Sequence, residues 1–213
     1  MPRSPLTRLP LVGHLFRKVD PTPEDVRAFW AAMQKQWATT QVNKANATEM
    51  QAVAELLDLL GITNKQDFLR NFTTVLGEKI YTPFDPGVPT HGWPLWSQIR
   101  VCVHEHHHVW QFRAAGGLGF MWNYVASPAD RAHYEAEAYR CDMVMEYHFR
   151  GRMLEPKILA SYLSSSYGCS ETDALVMERM LVASIPAIKS GARPSDVLRW
   201  AVPWLEARWK LAA

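Results

Sequence analysis

Five consecutive titratable residues, His104-Glu105-His106-His107-His108, sit inside an otherwise apolar stretch that includes Val101, Cys102, Val103, Val109, Trp110 and Phe112. Residues 97–113 read as one helix, with Gly116-Gly117 just past its end. A helix that holds a metal must be partly buried in this way to exclude water, so the remaining elements are expected to pack around it. His104 and His108 are four apart, so their rings project from one face about one turn apart and can share one tetrahedral ion. Glu105 stands roughly 100° round the helix, where it can reach a water on that ion without being a ligand. His106 projects nearly opposite the pair and is not expected to be a ligand. His107 lies about 60° from His104 and is expected in a solvated or hydrogen-bonded role.

The rest of the chain reads as helices around a small β element. Residues 1–21 contain Pro2, Pro5, Pro10 and Pro21 without clean periodicity and are expected to form an arm; residues 22–213 form one domain. Thr22-Pro23-Glu24-Asp25 opens a helix with an N-cap, a first-turn proline and early acids, and Val26, Phe29, Trp30, Met33 and Trp37 supply its apolar face. A second helix covers about 48–60, with Met50, Val53, Leu56, Leu57 and Leu60 as its stripe and Gly61 at its end; a short one follows near 64–71. Residues 72–76 and 79–82 read as two strands around a tight turn at Gly77-Glu78. Residues 118–126 are apolar and ambiguous. Ser127-Pro128-Ala129-Asp130 caps a helix that runs to about Arg150 and stops at Gly151. Helices near 155–165, 171–189 and 194–211 complete the chain, the last expected to kink at Pro203. The expected class is mainly α (α+β), with a small antiparallel β element before the central helix.

With 213 residues, the chain is long enough for one domain with a sizeable core. A net charge of +2, with no concentrated basic stripe, argues against nucleic acid and against an anionic membrane as partner. Nine tryptophans point to a well-filled core. Cys102, Cys141 and Cys169 are an odd set without regular spacing, which suggests no disulfide framework and suits a reducing compartment. Cys102 and Cys141 could approach a metal, but read first as small buried apolar residues. No apolar run is long enough to span a bilayer, and residues 6–16 lack a signal-peptide pattern, so a cytoplasmic location is expected.

The pattern His104-Glu105-x-x-His108 resembles that of zinc metallopeptidases, in which the two histidines bind zinc and the glutamate is the general base. Zinc lowers the pKa of a bound water toward 7, and the neighbouring carboxylate takes its proton as it attacks a carbonyl. Such a site takes three protein ligands. The next helix offers Glu135 and Glu137, which flank its core face on opposite sides, so periodicity leaves both open. Asp142 falls on the Glu135 side. Residues 131–142 resemble the ligand helix of gluzincin metallopeptidases. That resemblance implies Glu135 as third ligand of a single zinc per chain, with Glu137 and Ala138 two and three residues later. Tyr139 stands where some members have an aspartate, and Asp142 is the candidate to replace it.

The resemblance spans roughly residues 72–150 and includes Thr73-Thr74, Gly77, Ile80-Tyr81 and Pro83, which are similar to the strand segment before the active-site helix. It implies a zincin-like domain and a peptide or protein substrate pairing with an edge strand. It also implies an oxyanion-stabilising side chain, with Tyr81, Tyr124, Tyr134 and Tyr139 as candidates. His91, His133 and His148 are not expected to be ligands. The rival reading is an inactive zinc-binding structural or interaction module; a second rival is a metal-free protein in which the histidines are incidental.

Overall fold

The structure, a computed structural model, describes residues 19–59 and 64–211. It is one mainly α domain with a small β element. Helix α1 (Pro23–Trp37) opens on a reciprocal cap: the Thr22 hydroxyl accepts from the Asp25 amide, and the Asp25 carboxylate accepts from the Thr22 amide. Its Val26, Phe29, Trp30 and Met33 are buried, as their spacing predicts. Strand β1 (Thr40–Asn43) and a 3-10 turn (Lys44–Asn46) lead to α2 (Thr48–Leu59) and α3 (Lys65–Asn71). Residues 1–18 of the expected arm, and Leu60 and Gly61 at the expected end of the second helix, lie outside the described residues.

Strands β2 (Thr74–Leu76) and β3 (Lys79–Thr82) form the hairpin read from the sequence. Its two-residue loop puts Gly77 at φ +62°, a conformation that favours glycine. The antiparallel hairpin carries a third strand that the sequence did not reveal. β1 pairs parallel with β3, giving a mixed sheet in the order β1-β3-β2. A parallel pairing needs a long crossover, and here α2 and α3 supply it. Among the described residues β2 is therefore an edge strand.

The central helix is α4 (Leu95–Ala114), followed by α5 (Leu118–Ala126), which was ambiguous in the sequence. Helix α6 (Pro128–Arg150) is capped by Ser127 and ends at Gly151 (φ +66°), as the sequence signals predict. Helices α7 (Pro156–Ser166), α8 (Glu171–Lys189) and α9 (Asp196–Arg208) complete the nine found among the described residues. α9 ends earlier than expected and continues through Pro203; α8 continues through Pro186. No helix of the described residues is long and apolar enough to cross a membrane.

The main core gathers α1, α4, α6, α7, α8 and α9 around residues such as Phe29, Trp30, Ile99, Val103, Met143, Met145, Leu181 and Leu198. A smaller core of Ala47, Met50, Ala54, Phe68 and Tyr81 joins α2 and α3 to the sheet. All five residues from His104 to His108 are buried. His104, Glu105, His106 and His108 each meet a hydrogen-bonding group inside the protein, while neither ring nitrogen of His107 has a hydrogen-bond partner.

Candidate metal centre

Helix α4 supplies His104 and His108, and α6 supplies Glu135. These are the residues whose donor atoms converge. His104 Nε2 and His108 Nε2 are 3.2 Å apart; Glu135 carboxylate oxygens lie 3.6 Å from the first and 3.4 Å from the second. Donors held at zinc–ligand distances in a tetrahedron stand roughly 3.3 Å from one another; the histidine pair stands near that spacing, and a different carboxylate oxygen approaches each ring.

The hydrogen bonds behind these atoms fit as well. His104 Nδ1 lies 3.2 Å from Asp142 Oδ2, and His108 Nδ1 lies 2.8 Å from Gln111 Oε1. A carboxylate and an amide oxygen can only accept, so each Nδ1 carries the proton. In the neutral rings both Nε2 atoms then present lone pairs toward each other and toward a carboxylate. Three electron-rich atoms at such distances repel unless a cation or a proton lies among them. Glu135 Oε2 is buried and has no hydrogen-bond partner, so the cluster contains an oxygen that a cation would satisfy. The residues present therefore fit zinc.

Titration behaviour agrees with this packing. Burial pushes the Glu135 carboxyl up, but the neighbouring His108 and His104 outweigh it and hold it well below the usual carboxylate range. Burial pushes His104 down, and Asp142 and Glu135 outweigh it, leaving the imidazole well above its ordinary value; His108 is raised by Glu135 against the same burial.

Glu105 is buried beside the cluster, and its Oε1 accepts a hydrogen bond from the Thr73 hydroxyl. It lines two cavities, of 630 Å³ and 500 Å³, that also share Phe72, Thr73, His104, Ser166 and Tyr167. The two therefore adjoin at the candidate centre and are taken together as one cleft. The smaller half is apolar, walled by Phe68, Val75, Phe120 and Tyr124, and His108 and Glu135 face it. The larger half is more polar, with Ser97, Arg100, Asp142 and Arg152. Thr74 and Val75 of the edge strand β2 line the apolar half.

Other residues singled out in the sequence fall elsewhere. Glu137 does not join the cluster; its Oε2 accepts from Gln111. His106 is a core residue: its ring lies 2.9 Å from the Thr39 hydroxyl and 2.6 Å from the Cys102 carbonyl oxygen, and burial lowers its pKa to about 4. His107 was expected to be solvated or hydrogen-bonded. It is buried, stacked on Trp110, with its Nε2 3.8 Å from Glu137. His133 is exposed, His91 lies exposed in the loop before α4, and His148 meets Glu206 at 2.8 Å. The three cysteines are free and buried. Of the tyrosines, Tyr81 bonds Glu49, Tyr134 packs on Phe120, Tyr124 donates to Glu135 Oε1 at 2.6 Å, and Tyr139 packs edge-on against His104.

The sequence reading missed Gln111, Tyr167 and Lys44. Gln111 stands three residues after His108, one turn along the same helix face, and that spacing was a usable signal. Tyr167, at the end of α7, carries no sequence signal; only folding brings it across the cleft. No family model matches the chain, and neither does any curated protein or solved structure.

Proposed function

We propose that this protein is a zinc-dependent metallopeptidase of gluzincin type, with His104, His108 and Glu135 holding one zinc ion and Glu105 acting as general base. The observation that carries the reading is the convergence of three buried donor groups within 4.8 Å of one another beside a buried glutamate, where two cavities share lining residues. Zinc held there would act as a Lewis acid and bring the pKa of a water toward neutrality. Glu105, with one oxygen held by Thr73, is positioned to accept the proton of an attacking water and deliver it to the leaving amine. Asp142 and Gln111 keep the two imidazoles with Nε2 unprotonated, and Glu135 stays ionised.

The cleft supports a peptide as substrate. An extended peptide can add to the free edge of β2, whose Thr74 and Val75 line the apolar half. A structural zinc takes four protein donors. Three converge among the described residues, which favours catalysis over the inactive module. Three free cysteines suit a reducing compartment, which we take to be the cytoplasm.

Elemental analysis tests the site. The purified chain is expected to hold about one zinc, and zinc loading is expected to bring hydrolysis of an unstructured peptide mixture that a chelator abolishes. His104→Ala and His108→Ala should each lose nearly all bound zinc. Full zinc content in both variants would refute the site; zinc-loaded wild type without hydrolysis would favour the inactive module.

A further inference from the structure

Glu137 and Gln111 form a hydrogen-bonded chain that ends on the candidate ligand His108. The Gln111 side chain is buried, and its amide makes three contacts. Nε2 donates to the Tyr134 carbonyl oxygen at 3.1 Å and to Glu137 Oε2 at 2.8 Å. Oε1 is left 2.8 Å from His108 Nδ1. Rotating the amide by half a turn would set Oε1 against a carbonyl and a carboxylate, three acceptors facing one another, and would aim the amino group at Nδ1–H. The Glu137 contact is the charge-assisted one and weighs most in excluding that rotamer.

We infer that Glu137 is a positioning residue, which through Gln111 fixes the tautomer and ring orientation of His108 for metal binding. The inference rests on the zinc reading above. Gln111 Oε1 can only accept, so His108 must carry its proton on Nδ1, and its Nε2 lone pair is directed at His104 and Glu135. The neighbouring glutamates of α6 thus take different parts. Glu135 faces the cluster, and Glu137 holds the group that holds His108. The basic side chains near Glu137 are more distant: His107 and His133 at 3.8 Å and Arg140 at 4.0 Å. Gln111 is therefore its principal partner on α4.

The test is zinc affinity of the full chain, measured by chelator competition. The Glu137 side chain is 27% exposed, so truncation opens no closed cavity. Glu137→Ala should weaken zinc binding about 10- to 100-fold, the usual range for a residue that orients a ligand. The loss should be smaller than that of Glu135→Ala, and metal-free melting should be little changed. Glu137→Gln, which keeps an acceptor for Gln111, should recover most of the affinity. In a Gln111→Met background, Glu137→Ala should add no further loss, because both variants break the same chain. Should Gln111→Met not fold, the Ala and Gln variants at Glu137 still decide. Wild-type affinity in Glu137→Ala would overturn the inference, as would an undiminished loss in the Gln111→Met background. A loss exceeding that of Glu135→Ala would make Glu137 a ligand instead. Wild-type chain that takes up no zinc defeats the metal centre itself.

Discussion

Lys44 is a cation enclosed by apolar groups. Its ammonium donates to the Phe68 carbonyl oxygen at 3.1 Å and sits 3.7 Å from the centre of the Phe68 ring, with the residue 1% exposed. Burial pushes its pKa down from 10.5 to about 7, against the opposing pull of Glu105. The folded value lies below the unfolded one, so between them the unfolded chain binds more protons. The stability linked to Lys44 is complete above the unfolded value and is lost as pH falls toward 7. Wild type should therefore gain on the order of a few kcal/mol over Lys44→Met between roughly pH 7.5 and 10. Denaturant titrations of both proteins at the two pH values check this; equal changes would mean the charge is not buried as described. At this scale, His104, Glu105 and His108 were legible because helical spacing alone brings them together. Glu135 and Glu137 could not be told apart by periodicity, since both flank the core face of α6. The resemblance favoured Glu135, and it is Glu135 that faces the histidines. Lys44 gave no sign, because its burial comes from the packing of Phe68, 24 residues away.

At the scale of elements, the caps made most helices readable. Thr22, Ser127 and Ser170 each accept from an amide three residues on, and Thr22 and Ser170 form the full reciprocal box. Thr22→Ala removes the hydroxyl that accepts from the Asp25 amide and donates to the Asp25 carboxylate at α1, which packs directly on α4 through Trp30 and the Gln98 carbonyl. It should cost about 1 kcal/mol of stability and leave zinc content unchanged. An unshifted denaturation midpoint would show that the cap does not support α1. Strand β1 was not legible for a physical reason. Thr40-Gln41-Val42-Asn43 is short, carries one apolar residue, and gains its partner only after the chain has passed through α2 and α3. Helix α5 was ambiguous because nearly all its residues are apolar. Phe120 and Tyr124 face the cleft, while Leu118, Trp122 and Val125 are exposed, so no single polar face marks its period.

At the scale of the molecule, a helical core holds α4 and α6 side by side, while the smaller core fixes the sheet against the same cleft. The class and the order of most elements could be read from the sequence. The cleft could not, because its walls come from β2, α5, α6 and the end of α7, which meet only in three dimensions. That arrangement gives Glu105 its meaning: a buried carboxylate next to the three convergent donors and outside their set. The central claim is that Glu105 is the base and not a ligand. Glu105→Gln keeps its shape and its contact with Thr73 but removes its basicity. Zinc content and peptide hydrolysis of this variant should be measured together on the same preparation. Nearly normal zinc is expected, with hydrolysis reduced by at least roughly 10²-fold. Unchanged hydrolysis in the zinc-replete variant, or loss of zinc along with activity, would contradict the claim.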